Sequence, residues 1–275
     1  YLKGKSEFVV KNQEFYFKEG ITYSRVGTKG ASFRYLPANH IFSDASSGIF
    51  PTEKFKNLFY ILAFFNSKLS NYIVSCLNPT VNVQVGDIDR IPFVIPSREY
   101  EAFIEKLVKR NIAIGQALDV VSVIDYNYQN EVFAEVTGDS FKNSFVKFLN
   151  KENHLRAQLF INESIINQKI FSVYDLNDTD KTIVLAKEGE NIGHLPVSTE
   201  ARLAYLAETV ATKDFPLDDI KDFIENLPVE EFSIGEREEI EKEFPNLYQN
   251  NNDLEEFCIR HQINPINVWY WFKQS

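Results

Sequence analysis

LNPTVNVQVGDIDRIPFVIP, residues 77–96, decides how this 275-residue chain is read. Val81, Val83 and Val85 alternate with Asn82 and Gln84, the two-residue period of a half-buried strand. On that reading the valines face a core, the two amides face out, and Gly86-Asp87 is a turn. Amides on an open strand face have two uses. They can pair bidentately with the major-groove edge of adenine or bond to phosphates, or they can tie down neighbouring loops and make the stretch a scaffold. Asn82 and Gln84 are candidates for either use.

Upstream, residues 7–50 are a series of short aromatic or β-branched runs. EFVV (7–10), EFYF (14–17), GITYSRV (20–26), ASFRYL (31–36) and HIFSD (40–44) read as strands parted by Gly, Asn, Lys and Ser. VGTKGAS (26–32) is a glycine-bounded loop carrying Lys29, with Arg25 before it and Arg34 after it. SDASSG (43–48) is a second polar loop and holds Ser46 and Ser47. From 56 to 76 the spacing turns helical, with Leu58, Ile61, Leu62, Phe65, Leu69 and Tyr72 near a 3.6 period, and Asn78-Pro79 stops the helix.

Downstream the texture changes. A long amphipathic helix begins at Arg98, and helical segments run to about 175. DLNDTDKTIVLAKEGENIGHLP (175–196) is a polar connector with one short strand, TIVLA, and acidic-headed helices follow. Ser198 opens one of them as a partial capping box. The fold class is α+β: a mixed head followed by a mostly α-helical region. The boundaries predicted are 1–98 for the head, 99–190 for a helical spacer and 191–275 for a C-terminal helical domain that is truncated.

A hydrophobic share of 44% and a charged share of 25% are ordinary for a globular chain. The net charge of −10 is unevenly spread. Residues 1–98 hold 12 Lys and Arg against 7 Asp and Glu, whereas the remainder holds 17 against 32. A cationic head on an acidic body points to a polyanion for the head alone. The longest apolar run, LFYILAFF (58–65), is too short to cross a bilayer, and no secretory leader is legible. Cys76 and Cys258 read as reduced core residues of a cytoplasmic protein. A start at Tyr1 and a stop on WYWFKQS, with no methionine between, predict a piece of a longer chain.

Catalytic patterns are missing. No GxGxxG, Walker, HExxH or paired CxxC occurs, and His40, His154, His194 and His261 lack metal spacing, so no metal is expected. NPTV (78–81) has Thr where the tetrad of an amino-methyltransferase needs its second proline.

FYFKEGITYSRVGTKGASFRYLPANHIFSDASSGIFP, LFYILAFFNSKLSNYIV and the opening stretch together resemble the target-recognition region of large adenine-specific DNA methyltransferases. The likeness is to the BREX phage-defence type (PglX type), with type IIG restriction-modification enzymes and the TaqI-like specificity domain as relatives. INQKIFSVYDLND (166–178) and EFCIRHQINPINVWYWFKQS resemble the helical parts that follow. The resemblance implies a TaqI-like target-recognition head within a full-length enzyme that methylates adenine N6 with S-adenosylmethionine. It places the cofactor loop and catalytic tetrad in a missing N-terminal methyltransferase domain, so this fragment would hold no cofactor, catalyse nothing by itself and read double-stranded DNA. Arg25, Lys29, Arg34, Ser46, Ser47, Asn82 and Gln84 are the candidate DNA contacts, with no catalytic residue and no metal ligand. Arg34, between Phe33 and Tyr35, is equally a structural arginine stacked on aromatics. The NVWYWF cluster (267–272) reads as a core that docks on the missing chain. Two other functions stay open: an assembly module recruiting other defence-system proteins through its acidic helices, and a specificity subunit of a restriction system. No membrane partner is expected.

Overall fold

The computed structural model describes residues 12–26, 31–43, 46–80, 82–119, 141–212, 218–249 and 254–274. The chain divides into two compact units, Tyr1–Val108 and Lys109–Ser275. The EFVV run, Val81 and Lys29 lie outside the described residues.

The first unit is built on a three-stranded antiparallel sheet of β1 (Gly20–Ser24), β2 (Phe33–Leu36) and β3 (Ser46–Ile49), in the order β2-β1-β3. Ile21 pairs with Tyr35 and Ile49, and Tyr23 pairs with Phe33 and Ser47. That face is the apolar one, with Ile21, Tyr23 and Phe33 all buried. It packs on α1 (Leu58–Phe65), where Phe33 stacks on Phe65 at 4.9 Å and Tyr35 on Phe59 at 5.8 Å between ring centroids. Asn66, just after α1, grips the edge strand β2. Its Oδ1 accepts from Phe33 N at 3.1 Å and its Nδ2 donates to Phe33 O at 3.0 Å, so two edge groups of the sheet find partners. The helix expected over 56–76 is two helices, α1 and α2 (Lys68–Leu77), because Ser67 caps the second one by accepting from Ser70 N. Asn57 caps α1 and also donates to Glu101 and Glu105 of α4 (Arg98–Asp119) at 2.9 and 2.8 Å. Ile104 and Leu107 of α4 complete this core.

Four expectations fail locally. HIFSD forms no strand over its described residues, 40–43, where Ser43 makes only a lone bridge with Ser46. EFYF is not a strand; Gln13–Phe15 is a 3-10 turn. SDASSG is not wholly a loop, since Ser46 and Ser47 begin β3. VNVQV is not an alternating strand. Asn82 forms a lone bridge with Val26, Val83 is buried, Val85 is 54% exposed, and Val85–Ile88 winds into a short helix, α3. Cys76, expected in a core, is exposed, while Cys258 is buried, and the two form no disulfide.

The second unit centres on α5 (Phe141–Val173). TIVLA lies in a helix, not a strand, because Asn177 caps α6 (Asp178–Glu188) by accepting from Asp180 N at 2.9 Å, and two aspartates fill its first turn. The 3-10 turn Ile192–His194 packs on α5. Then follow α7 (Thr199–Thr212), α8 (Asp218–Glu225), α9 (Ile234–Glu241), α10 (Phe244–Gln249), α11 (Leu254–His261) and α12 (Pro265–Gln274). The segments before and after 190 share this unit. α12 packs on both α5 and α7, and the NVWYWF cluster is consumed inside the chain: Trp269 is buried against Tyr205 and His154, and Trp271 against Phe232. Among the described residues no helix is long and apolar enough to cross a membrane.

One titration is built into this unit. His194 lies edge-on to Phe223 at 4.8 Å, and burial holds its pKa below the ordinary 6.5. A folded pKa below the unfolded one means that the unfolded chain binds the proton more tightly. Stability is therefore complete above about pH 6.5 and is lost as the pH falls through and below that value. Thermal melts between pH 7.5 and 5.5 should show this decline, and His194→Gln should flatten it.

Candidate nucleic-acid interface

The two faces of the sheet differ in chemistry because strand side chains alternate. Opposite the apolar face stand Thr22, Ser24, Arg34 and Ser46, and here cross-strand register sets Thr22 against Arg34 and Ser24 against Ser46. Thr22 Oγ1 meets Ser46 Oγ at 3.2 Å, and Arg34 Nη1 donates to Ser24 Oγ at 3.4 Å. Only half of this face is open. Gly20 and Gly48 also belong to it, and a Cβ on either would lie 2.7–2.8 Å from the Phe50 ring. Phe50 thus lies across the far end, with Phe15 stacked on it at 4.8 Å and Phe42 at 5.4 Å. At the polar end, toward Ser24, Arg34 is exposed while Thr22, Ser24 and Ser46 are half-buried.

The seven predicted contacts separate on this frame. Arg34 is exposed and points away from the aromatics that flank it in sequence, because Phe33 and Tyr35 take the other face. Stacking between them is not its role. Ser46 lies on the open face. Ser47 does not: it is paired with buried Tyr23 on the inner side. Burial raises the Tyr23 pKa. Lys29 lies outside the described residues.

Arg25, Asn82 and Gln84 come together elsewhere. Arg25 Nη2 donates to Gln84 Oε1 at 2.6 Å, across 59 positions of sequence, and Val83 N donates to Arg25 O at 2.8 Å. Asn78 holds the same turn from below. Its Nδ2 donates to Asn82 O at 2.9 Å and to Asp87 Oδ2 at 2.6 Å, while its Oδ1 accepts from Thr80 N at 3.0 Å. Asp87 Oδ2 also accepts from Gln84 N at 2.9 Å. These bonds, Asn78 first, keep the Asp87 carboxyl below the usual carboxylate range. Gln84 is therefore engaged in a loop-to-strand clamp, and Asn82 takes part through its backbone. At the sheet edge, Tyr35 OH donates to Glu19 Oε1 at 2.6 Å, and that bond, with burial adding to it, pushes the phenol up to about 12.

Sequence reasoning missed Thr22 and Ser24. The signal was present in GITYS, where hydroxyls alternate with Ile21 and Tyr23, but it needed the hairpin register that sets Thr22 opposite Arg34. Among the described residues no group of three His, Cys, Asp or Glu stands together to hold a metal ion.

No protein-family model matches the chain. Its relatives include the adenine-specific methyltransferase BrxX of Escherichia coli O9:H4 (strain HS), 29% identical over 167 residues, which cover 60% of this chain and 13% of that protein. They also include the adenine-specific methyltransferase PglX of Lacticaseibacillus casei (strain Zhang), 22% identical over 172 residues, or 61% of this chain and 14% of that protein. The chain matches only this small share of the relatives' length.

Proposed function

From the relationship of this chain to the BREX PglX-type adenine-specific methyltransferases, we propose that it is the DNA sequence-recognition and helical portion of an N6-adenine DNA methyltransferase of a phage-defence or restriction-modification system. The head unit seats a DNA duplex. S-adenosylmethionine and the catalytic tetrad belong to a methyltransferase domain elsewhere in the full-length protein. Positioning and sequence choice are what this portion contributes.

The observation that carries the reading is the half-open polar sheet face with exposed Arg34, set in a head whose sequence is cationic while the helical part is acidic. An antiparallel sheet packed on one face and solvated on the other has a surface free for a ligand. A positive head attracts phosphate, whereas the carboxylates of the helical part repel it.

Salt-titrated binding of a DNA duplex by the full-length enzyme tests this. The affinity should fall steeply and linearly in log salt. Lys29→Glu should weaken binding uniformly across sequences and shrink the salt slope by roughly 1, the loss of one phosphate contact. Binding that ignores both salt and this reversal would sink the reading and favour assembly with other defence-system proteins through the acidic helices.

A further inference from the structure

We infer that the open half of the sheet face reads base pairs directly, with Arg34 taking a guanine in the major groove and Thr22, Ser24 and Ser46 contacting the bases beside it. This rests on the DNA-recognition reading above. It places the reading surface on the sheet and leaves the 82–84 amides as scaffold within the clamp.

Four observations lead there. Arg34 is exposed, and among the described residues it makes one hydrogen bond, to Ser24 Oγ at 3.4 Å, the outer limit for such a bond. Its remaining guanidinium donors are uncommitted among those residues. A planar fork with several free N–H groups matches the O6 and N7 acceptors of guanine. Arg25 is the opposite case, with a guanidinium drawn onto Gln84 at 2.6 Å. Next, the three hydroxyls share the Arg34 face by strand register. A hydroxyl both donates and accepts, so it can meet any base edge. The width of the sheet also suits the task. Its three strands, each about 4.8 Å from the next, span about 10 Å between their outer axes, within a major groove roughly 12 Å wide. Finally, the aromatic lid of Phe15, Phe42 and Phe50 covers the other half of the face, so the polar end alone is presented.

Gln84 then has a different part. It acts through Arg25 as a positioning residue, fixing the end of β1 against the 82–88 turn.

The test maps methylated adenines produced by the full-length enzyme on a library of randomised duplexes. Arg34→Ala should relax the preference for guanine at one position of the site by at least about tenfold, with non-specific duplex affinity little changed. Arg34→Gln should move that preference toward adenine, because a carboxamide pairs with N6 and N7. Ser24→Ala and Thr22→Ala should alter neighbouring preferences less. An unchanged site in folded, active Arg34→Ala overturns the inference, as does uniform weakening on every sequence, which would make Arg34 a phosphate contact. Arg34→Lys, which keeps charge without the fork, separates those cases if the alanine variant does not fold. Either negative result leaves DNA recognition standing wherever Lys29→Glu still reduces the salt slope.

Discussion

Asn264→Asp is expected to destabilise the helical unit by about 3–5 kcal/mol at neutral pH, although it exchanges one atom. Asn264 is fully buried at the head of α12, in the sequence INPIN. Its Nδ2 donates to Gly193 O and Leu195 O, both at 3.0 Å, and its Oδ1 accepts from Ile266 N at 3.0 Å. One carboxamide thus binds the 3-10 turn at 192–194 to the start of α12. Asn267 repeats the device: its Oδ1 accepts from Ser198 N at 3.0 Å and its Nδ2 donates to Pro196 O at 3.2 Å. An aspartate would keep the acceptor and set its second oxygen against two carbonyls, with a buried charge added. The carboxyl must then protonate to fold, so its folded pKa lies above its unfolded one. The penalty therefore shrinks as the pH falls toward 5 and grows above it. Asn264→Ala, which loses the bonds without adding charge, should cost about 2–4 kcal/mol and lack that pH dependence. Both tryptophans of the chain lie in this unit, so urea titrations followed by tryptophan fluorescence report it alone. Equal midpoints for the aspartate variant and the unmutated chain would remove Asn264 from the structural role assigned here.

The sequence carries the helical half of this architecture well, because amphipathic period and caps act within a few residues. α4, α7, α9 and α11 stand where their apolar spacing and acidic first turns place them. β1 and β2 are equally legible as alternating runs. The failures share a cause. VNVQV has strand composition, but Asn78, Asp87 and Arg25 bend it into a clamp, and the Arg25–Gln84 contact spans 59 positions. TIVLA has strand composition too, yet an asparagine cap and an acidic first turn decide for helix. β propensity reflects packing on neighbours that a linear reading does not contain. NVWYWF reads as a dock for missing chain for the same reason: its partners His154 and Tyr205 are distant in sequence. For the site, residue type singled out Arg34 and Ser46 without distinguishing them from Ser47, whose opposite orientation follows only from the register of β1 with β3.

Gly193→Ala should cost the same unit about 2–3 kcal/mol, and for a steric reason. A Cβ at this position would lie 2.7 Å from Phe160 O and 2.9 Å from Ile161 Cα, both backbone atoms of α5, and 2.5 Å from Ser164 Oγ. Absence of a side chain lets the 3-10 turn approach α5 closely enough for Gly193 N to donate to Ser164 Oγ at 3.1 Å. The serine can rotate away, but the α5 backbone has no such freedom. Ser164→Ala combined with Gly193→Ala should therefore recover only a minority of the loss in urea midpoint. Full recovery would show that the hydroxyl, not the helix backbone, limits the approach. Gly193 O is also one of the two carbonyls held by Asn264, so both substitutions act on one turn. Once the methyl group has lifted that turn off α5, the Asn264 bonds are already strained, and removing them costs less. Gly193→Ala with Asn264→Ala should thus fall short of the sum of the single effects by about 0.5 kcal/mol or more. A strictly additive pair would mean that the turn is anchored independently at its two ends.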